Sequence, residues 1–107
     1  MWRYIITTKT INNNQKKMIH KLLVEFLGTL FLTFIVLATR GNWLAIGGAL
    51  AVGVLLGGRI SGAAYNPAIA IAYFAAGKIA STEMVAYIVA EIAGALAALQ
   101  LVRMIRL

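Results

Sequence analysis

The sequence predicts an all-α membrane protein: three transmembrane helices plus one re-entrant half-helix. Three observations carry that prediction. Apolar residues make up 62% of the 107 residues, well above the share of a soluble domain, and mean hydropathy is +0.87. They gather into Leu22–Ala38, Leu44–Gly58 and Met84–Val102, stretches near spanning length that are separated by charged or polar residues. A further apolar stretch, Ile60–Gly77, is broken by Asn66-Pro67, because proline drives the residue before it out of the right-handed helical region.

Composition narrows the function. A chain of 107 residues makes one membrane domain. Ten Lys and Arg stand against three carboxylates, Glu25, Glu83 and Glu91, for a net charge of +7. Half of those cations lie in the first 21 positions, with no aromatic-interleaved basic face elsewhere. The charge therefore points to a membrane boundary and away from nucleic acid. There is no cysteine, so disulfides and thiolate sites are excluded. The single histidine, His20, lies in the basic segment, without an acid pair or a metal-ligand cluster. No catalysis, cofactor or metal is expected.

Met1–Lys21 carries Arg3, Lys9, Lys16, Lys17 and Lys21 with the polar run Asn12–Gln15, and reads as a disordered cytoplasmic tail. Residues 22–107 form the membrane domain. Leu22–Ala38 is longer than a signal-peptide core and is read as a retained first helix. Glu25 near its start either snorkels towards Lys21 and the interface or turns inward to accept from buried backbone donors. Arg40–Asn42 form a turn, and Trp43 is an interfacial aromatic. Leu44–Gly58 contains Gly53-x-x-x-Gly57, spaced for close helix approach.

After Arg59 the chain reads as a loop ending at Asn66 and a helix beginning at Pro67, since Asn suits the cap and Pro the first turn. From Pro67 to Ala76 the helix is about 15 Å long, half of a hydrocarbon core of about 30 Å. The segment therefore enters and leaves on one side. Its positive dipole end faces mid-bilayer, with Asn66 adding amide donors and the Ser61–Tyr65 carbonyls offering acceptors. Ser81 or Thr82 is expected to cap the third span, with Glu83 in its first turn. Glu91 lies near the middle of that span and must face protein or water. Arg3, Lys9, Lys16, Lys17, Lys21, Arg59 and Lys78 fall on one side, and Arg40, Arg103 and Arg106 on the other. That bias places the amino terminus in the cytoplasm.

Three motifs in order then resemble one family. Val24-Glu25-Phe26-Leu27-Gly28-Thr29 is similar to the Ala-Glu-Phe-x-Gly-Thr opening of aquaporins and glycerol facilitators, the major intrinsic proteins. Ile60-Ser61-Gly62-Ala63-Ala64-Tyr65-Asn66-Pro67-Ala68 resembles that family's signature loop, and Tyr87–Ala95 its third helix. Leu44-Ala45-Ile46-Gly47 and Gly57-Gly58-Arg59-Ile60 look more like the family's second half.

The resemblance implies one half of an inverted-repeat channel for water or small neutral solutes such as glycerol. Asn66, Pro67 and Ala68 would form the pore motif, with Ser61, Gly62, Glu25 and Glu91 supporting its loop. Carried across, the filter positions are Ile46, Val54, Ala63 and Ile69, all apolar, with Ile69 where the second half usually has Arg. The expected surroundings are a lipid bilayer, the solute, and a second copy or partner half-channel. Two other readings stay open: a non-conducting, truncated aquaporin-like interaction protein, and a holin-like membrane permeabiliser.

Overall fold

A computed structural model describes the backbone of residues 2–106 and the side chains of residues 13–106. Four helices follow in order: α1 (Trp2–Ala38), α2 (Trp43–Ser61), α3 (Pro67–Ala75) and α4 (Ser81–Ile105). Asn13–Ala38, Trp43–Ser61 and Ser81–Ile105 are long and apolar enough to cross a membrane. The protein is thus an all-helical integral membrane protein, and α3 has nine residues. That is about 14 Å of helix, too short to cross.

The first helix differs from the expected tail-then-span. Its backbone is helical from Trp2, without a break at Lys21. Residues 2–27 contain neither Gly nor Pro, so nothing in the backbone chemistry stops the first span from propagating towards the amino terminus. At the other end the Gly41 N–H bonds to the Val36 carbonyl at 2.9 Å, while Arg40 and Gly41 both take left-handed φ. That closes α1 in the usual glycine-dependent way. Asn42 then caps α2, its Oδ1 accepting from the Ala45 N–H at 2.9 Å, so α2 begins at Trp43.

Helix α2 runs past Gly58 to Ser61 and stops at Gly62, whose φ of 86° suits a residue without a Cβ. The start of α4 corrects the expected cap. Its N-cap is Ala80, with no side-chain hydrogen bond. The Met84 N–H reaches the Ala80 carbonyl at 2.9 Å, so Ser81 and Thr82 already lie inside the helix.

Helix α1 is the hub, packing against both α2 and α4, while α3 packs against α4. The buried stripe of α4 is Tyr87, Glu91, Gly94, Ala98 and Val102, spaced three and four residues apart as one helix face requires. Gly94 sets the distance to α1: a Cβ there would lie 2.4 Å from the Phe26 carbonyl oxygen. Among the described residues, α2 packs against no helix except α1. Most of its other side chains are exposed, including Leu55 and Leu56 at 78% and 71%. In a bilayer those side chains meet lipid at no hydrophobic cost.

Candidate functional site

The site grows from the five residues between α2 and α3. Gly62, Ala63 and Tyr65 all have positive φ, at 86°, 51° and 53°. Two of the three carry a Cβ, so the loop holds strain of about 1–3 kcal/mol per residue. In return, successive backbone N–H groups turn to one side, the arrangement that makes an anion-binding concavity.

A carboxylate fills that concavity. Glu25 is fully buried; it turns inward rather than snorkelling. Its Oε1 accepts from the Tyr65 N–H at 2.8 Å. Its Oε2 accepts from the Ala64 N–H at 3.2 Å and the Ser61 hydroxyl at 2.6 Å. Ser61 Oγ in turn accepts from the Ala63 N–H at 3.1 Å. Helix α1 thereby fixes a loop about 40 residues away in sequence. Gly62 supports the loop through its φ and through its N–H, which donates to the Gly58 carbonyl at 3.0 Å.

The tyrosines and Thr29 complete the seat, and sequence reasoning missed them. Tyr87 Oη donates to the Ser61 carbonyl at 2.6 Å, and Tyr73 Oη to the Gly62 carbonyl at 2.9 Å. Thr29 Oγ1 donates to the Tyr65 carbonyl at 3.3 Å. So three of the carbonyls expected to face a passing solute are engaged by the protein, which leaves those of Ala63 and Ala64 among the described residues. Tyr65 lies in a cradle of glycines. A Cβ on Gly28, Gly53 or Gly57 would fall 2.0, 2.9 or 2.0 Å from its side chain. Its hydroxyl donates to the Gly53 carbonyl at 2.6 Å. The Gly53-x-x-x-Gly57 pair therefore admits an aromatic ring, with Val24 of α1 also close against Gly57. The signal was there in outline: a bulky aromatic beside the Asn-Pro break, and glycines at helical spacing on two other segments.

Asn66 is extended, with φ −152° and ψ 128°, as the residue before a proline should be. Its Oδ1 accepts from the Ala68 N–H at 2.8 Å, and this leaves its amide hydrogens for whatever lies beyond the helix end. Pro67 opens α3 and Ala68 receives the cap. Asn66 and Pro67 line a cavity with Thr29, Thr33, Glu91 and Ile92. Glu91 is buried beside this end of α3, within reach of the Glu25 carboxyl and the Asn66 backbone. Of the carried-over filter positions, Ala63 is buried, Ile46 half-buried, and Val54 and Ile69 are exposed. None of the four lines this cavity.

Three helices of spanning length with a nine-residue helix that starts at Asn66-Pro67, its loop seated on a buried carboxylate, define a helical membrane protein organised about an Asn-Pro-Ala turn. The chain belongs to the family described as Major intrinsic protein, which it matches over residues 12–107. It is 38% identical to Glycerol uptake facilitator protein-like 6 of Lactiplantibacillus plantarum, an alignment covering 73% of this chain and 40% of that protein. It is also 38% identical to Aquaglyceroporin AqpS of Rhizobium meliloti, over 57% of this chain and 26% of that protein. The chain thus spans less than half the length of these relatives. No solved structure matches.

Proposed function

We propose that the chain is a subunit of a membrane channel for passive transport of water or small neutral solutes such as glycerol, its pore completed by a second half. The observation that carries this reading is α3 itself, a nine-residue helix starting at Asn66-Pro67 within a three-span bundle. Its positive end and the Asn66 amide hydrogens offer donors to a solute oxygen. A neutral molecule enters without shedding a charge's hydration, whereas that dipole end opposes a cation. The relatives named for glycerol transport support the solute class.

In this reading the amino terminus is cytoplasmic and residues 22–107 are the channel domain. Asn66, Pro67 and Ala68 meet the solute, and Ile46, Val54, Ala63 and Ile69 are the filter positions. The second half is another copy of this chain or a partner half-channel. The test is osmotic shrinkage of vesicles reconstituted with the full chain. Faster shrinkage than in empty vesicles, slowed by Asn66→Asp, is the expected result. Rates equal to those of empty vesicles refute conduction by this chain alone.

One observation favours a second reading, a non-conducting interaction protein of aquaporin-like fold. Seven cations against three favour a single orientation, whereas an inverted pair of identical chains needs both. The chain has no cysteine, so single cysteines placed at Asn13 and Met104 report on their own side of the membrane. Labelling of each site from one side only, with no inverted partner captured by crosslinking, supports this second reading.

A further inference from the structure

A separate cavity of about 300 Å³ opens at the end of the bundle where the apolar run of α1 begins. All four helices wall it: Lys21 from α1, Ile60 from α2, Tyr73 from α3 and Tyr87 from α4, with Lys78 and Ile79 from the connection between α3 and α4. Two ammonium groups and no carboxylate stand on its walls.

The lysines have donors to spare. Lys78 Nζ lies 5.2 Å from the centroid of the Tyr73 ring, which holds the ammonium against the cavity wall. It forms no ion pair among the described residues. The last carbonyls of α3 already have partners: Ala72, Tyr73 and Phe74 accept from the N–H groups of Ala76, Lys78 and Gly77 at 2.9, 2.8 and 3.0 Å. Lys21 gives one of its three donors to Glu83 at 3.2 Å, and Glu83 itself is not on the wall. The Tyr73 and Tyr87 hydroxyls spend their hydrogens on the Gly62 and Ser61 carbonyls. The cavity therefore offers positive charge with unspent N–H donors, which suits an anion.

Its depth says which anion. Lys21 directly precedes the apolar run Leu22–Ala38, and Lys78 directly precedes the start of α4. Arg59 lies in the last turn of α2, next to Ile60. Each cation thus marks where its segment leaves the hydrocarbon, at the level of lipid headgroups. Lys16 and Lys17 extend the positive charge along α1, so five Lys and Arg meet one acid, Glu83, at this end among the described residues. Ile60 is 45% exposed and gives apolar surface at the cavity edge.

We propose that this cavity binds the phosphate of an anionic phospholipid headgroup between the Lys21 and Lys78 ammonium groups, with an acyl chain leaving past Ile60. Basic pockets between membrane helices take headgroups of this kind. The site needs no pore and stands apart from the channel reading.

The test is the unfolding midpoint of the purified full chain in neutral detergent at matched ionic strength, titrated with phosphatidylglycerol, phosphatidylcholine or sodium phosphate. A saturable rise with phosphatidylglycerol alone is expected, since a ligand that binds only the folded state stabilises it by mass action. Lys78→Gln should raise the half-saturating phosphatidylglycerol concentration about fivefold, the effect of one cation on an anionic lipid, and adding Lys21→Gln should remove the saturable rise. Arg103→Gln with Arg106→Gln, the same charge loss at the other end of α4, should leave it unchanged. An absent rise overturns the proposal, as does an equal rise with phosphatidylcholine. An equal rise with sodium phosphate overturns the lipid assignment and makes the site one for free phosphate. An equal weakening by the Arg103 and Arg106 changes reduces the effect to general charge attraction and overturns the site. If the double lysine variant does not fold, an unchanged half-saturation in Lys78→Gln, whose side chain is exposed and unpaired among the described residues, overturns it in the same way.

Discussion

Replacing Glu25 by Ala tests whether the re-entrant loop is held by one side chain on α1. The carboxylate receives the Ser61 hydroxyl and the Ala64 and Tyr65 N–H groups, at 2.6, 3.2 and 2.8 Å, with no solvent access. Alanine leaves three buried donors without an acceptor. Each stranded donor costs about 1–3 kcal/mol, which sums to about 3–9 kcal/mol. Relaxation lowers that figure. Ser61 can turn its hydroxyl elsewhere, and chains unfolded within a membrane-like phase find other partners, which has held measured intramembrane hydrogen bonds to about 0.6 kcal/mol on average.

A net loss of about 2–4 kcal/mol is therefore expected for Glu25→Ala. Glu25→Gln should lose about half as much, since its amide oxygen still serves one side while its NH2 faces a donor on the other. The assay is reversible unfolding in mixed micelles. A double-mutant cycle with Ser61→Ala then isolates the contribution of the hydroxyl. A loss below about 1 kcal/mol for Glu25→Ala, or full additivity with Ser61→Ala, would refute the idea that this carboxylate seats the loop.

Four further outcomes follow from the same contacts. Gly57→Ala places a Cβ 2.0 Å from the Tyr65 hydroxyl oxygen; it should cost about 1–3 kcal/mol through overpacking, and adding Tyr65→Phe should recover part of the loss in the same unfolding assay. Gly94→Ala meets the Phe26 backbone, which cannot swing aside, so crosslinking between cysteines placed on facing turns of α1 and α4 should slow relative to the parent pair. Ser81→Ala should change stability by less than about 0.5 kcal/mol, because the residue lies inside α4 and caps nothing. The Lys21–Glu83 pair, 3.2 Å apart with side chains 34% and 21% exposed, should be worth less than about 1 kcal/mol in a double-mutant cycle and fade as salt is raised.

The elements themselves were legible in the chain because each depends on local chemistry. Spanning length follows from how many apolar residues fit a hydrocarbon core, and the half-helix follows from what proline does to Asn66. Helix ends were read less well. Trp2–Lys21 is charged and polar, so its composition suggested a tail, yet without Gly or Pro its backbone continues the helix of the first span. Ser81 has the chemistry of a cap, but the Ala80 carbonyl reached Met84 first.

Which groups meet across the fold was a different matter. That Glu25 would hold Ala64 and Tyr65, with Glu91 beside Glu25 and the Asn66 backbone, depends on how α1 and α4 approach each other at Gly94, a distance no local pattern encodes. Three tyrosine hydroxyls closing on Gly53, Ser61 and Gly62 were equally hidden, since a tyrosine's partner is fixed only when helices remote in sequence are brought together. The sequence alone therefore determined that the chain crosses a membrane and dips into it once at Asn66-Pro67, because bilayer thickness and proline geometry act residue by residue. Tertiary packing decided which carboxylate seats the dip and which one faces the open cavity, because hydrogen-bond partners are chosen by distances in space.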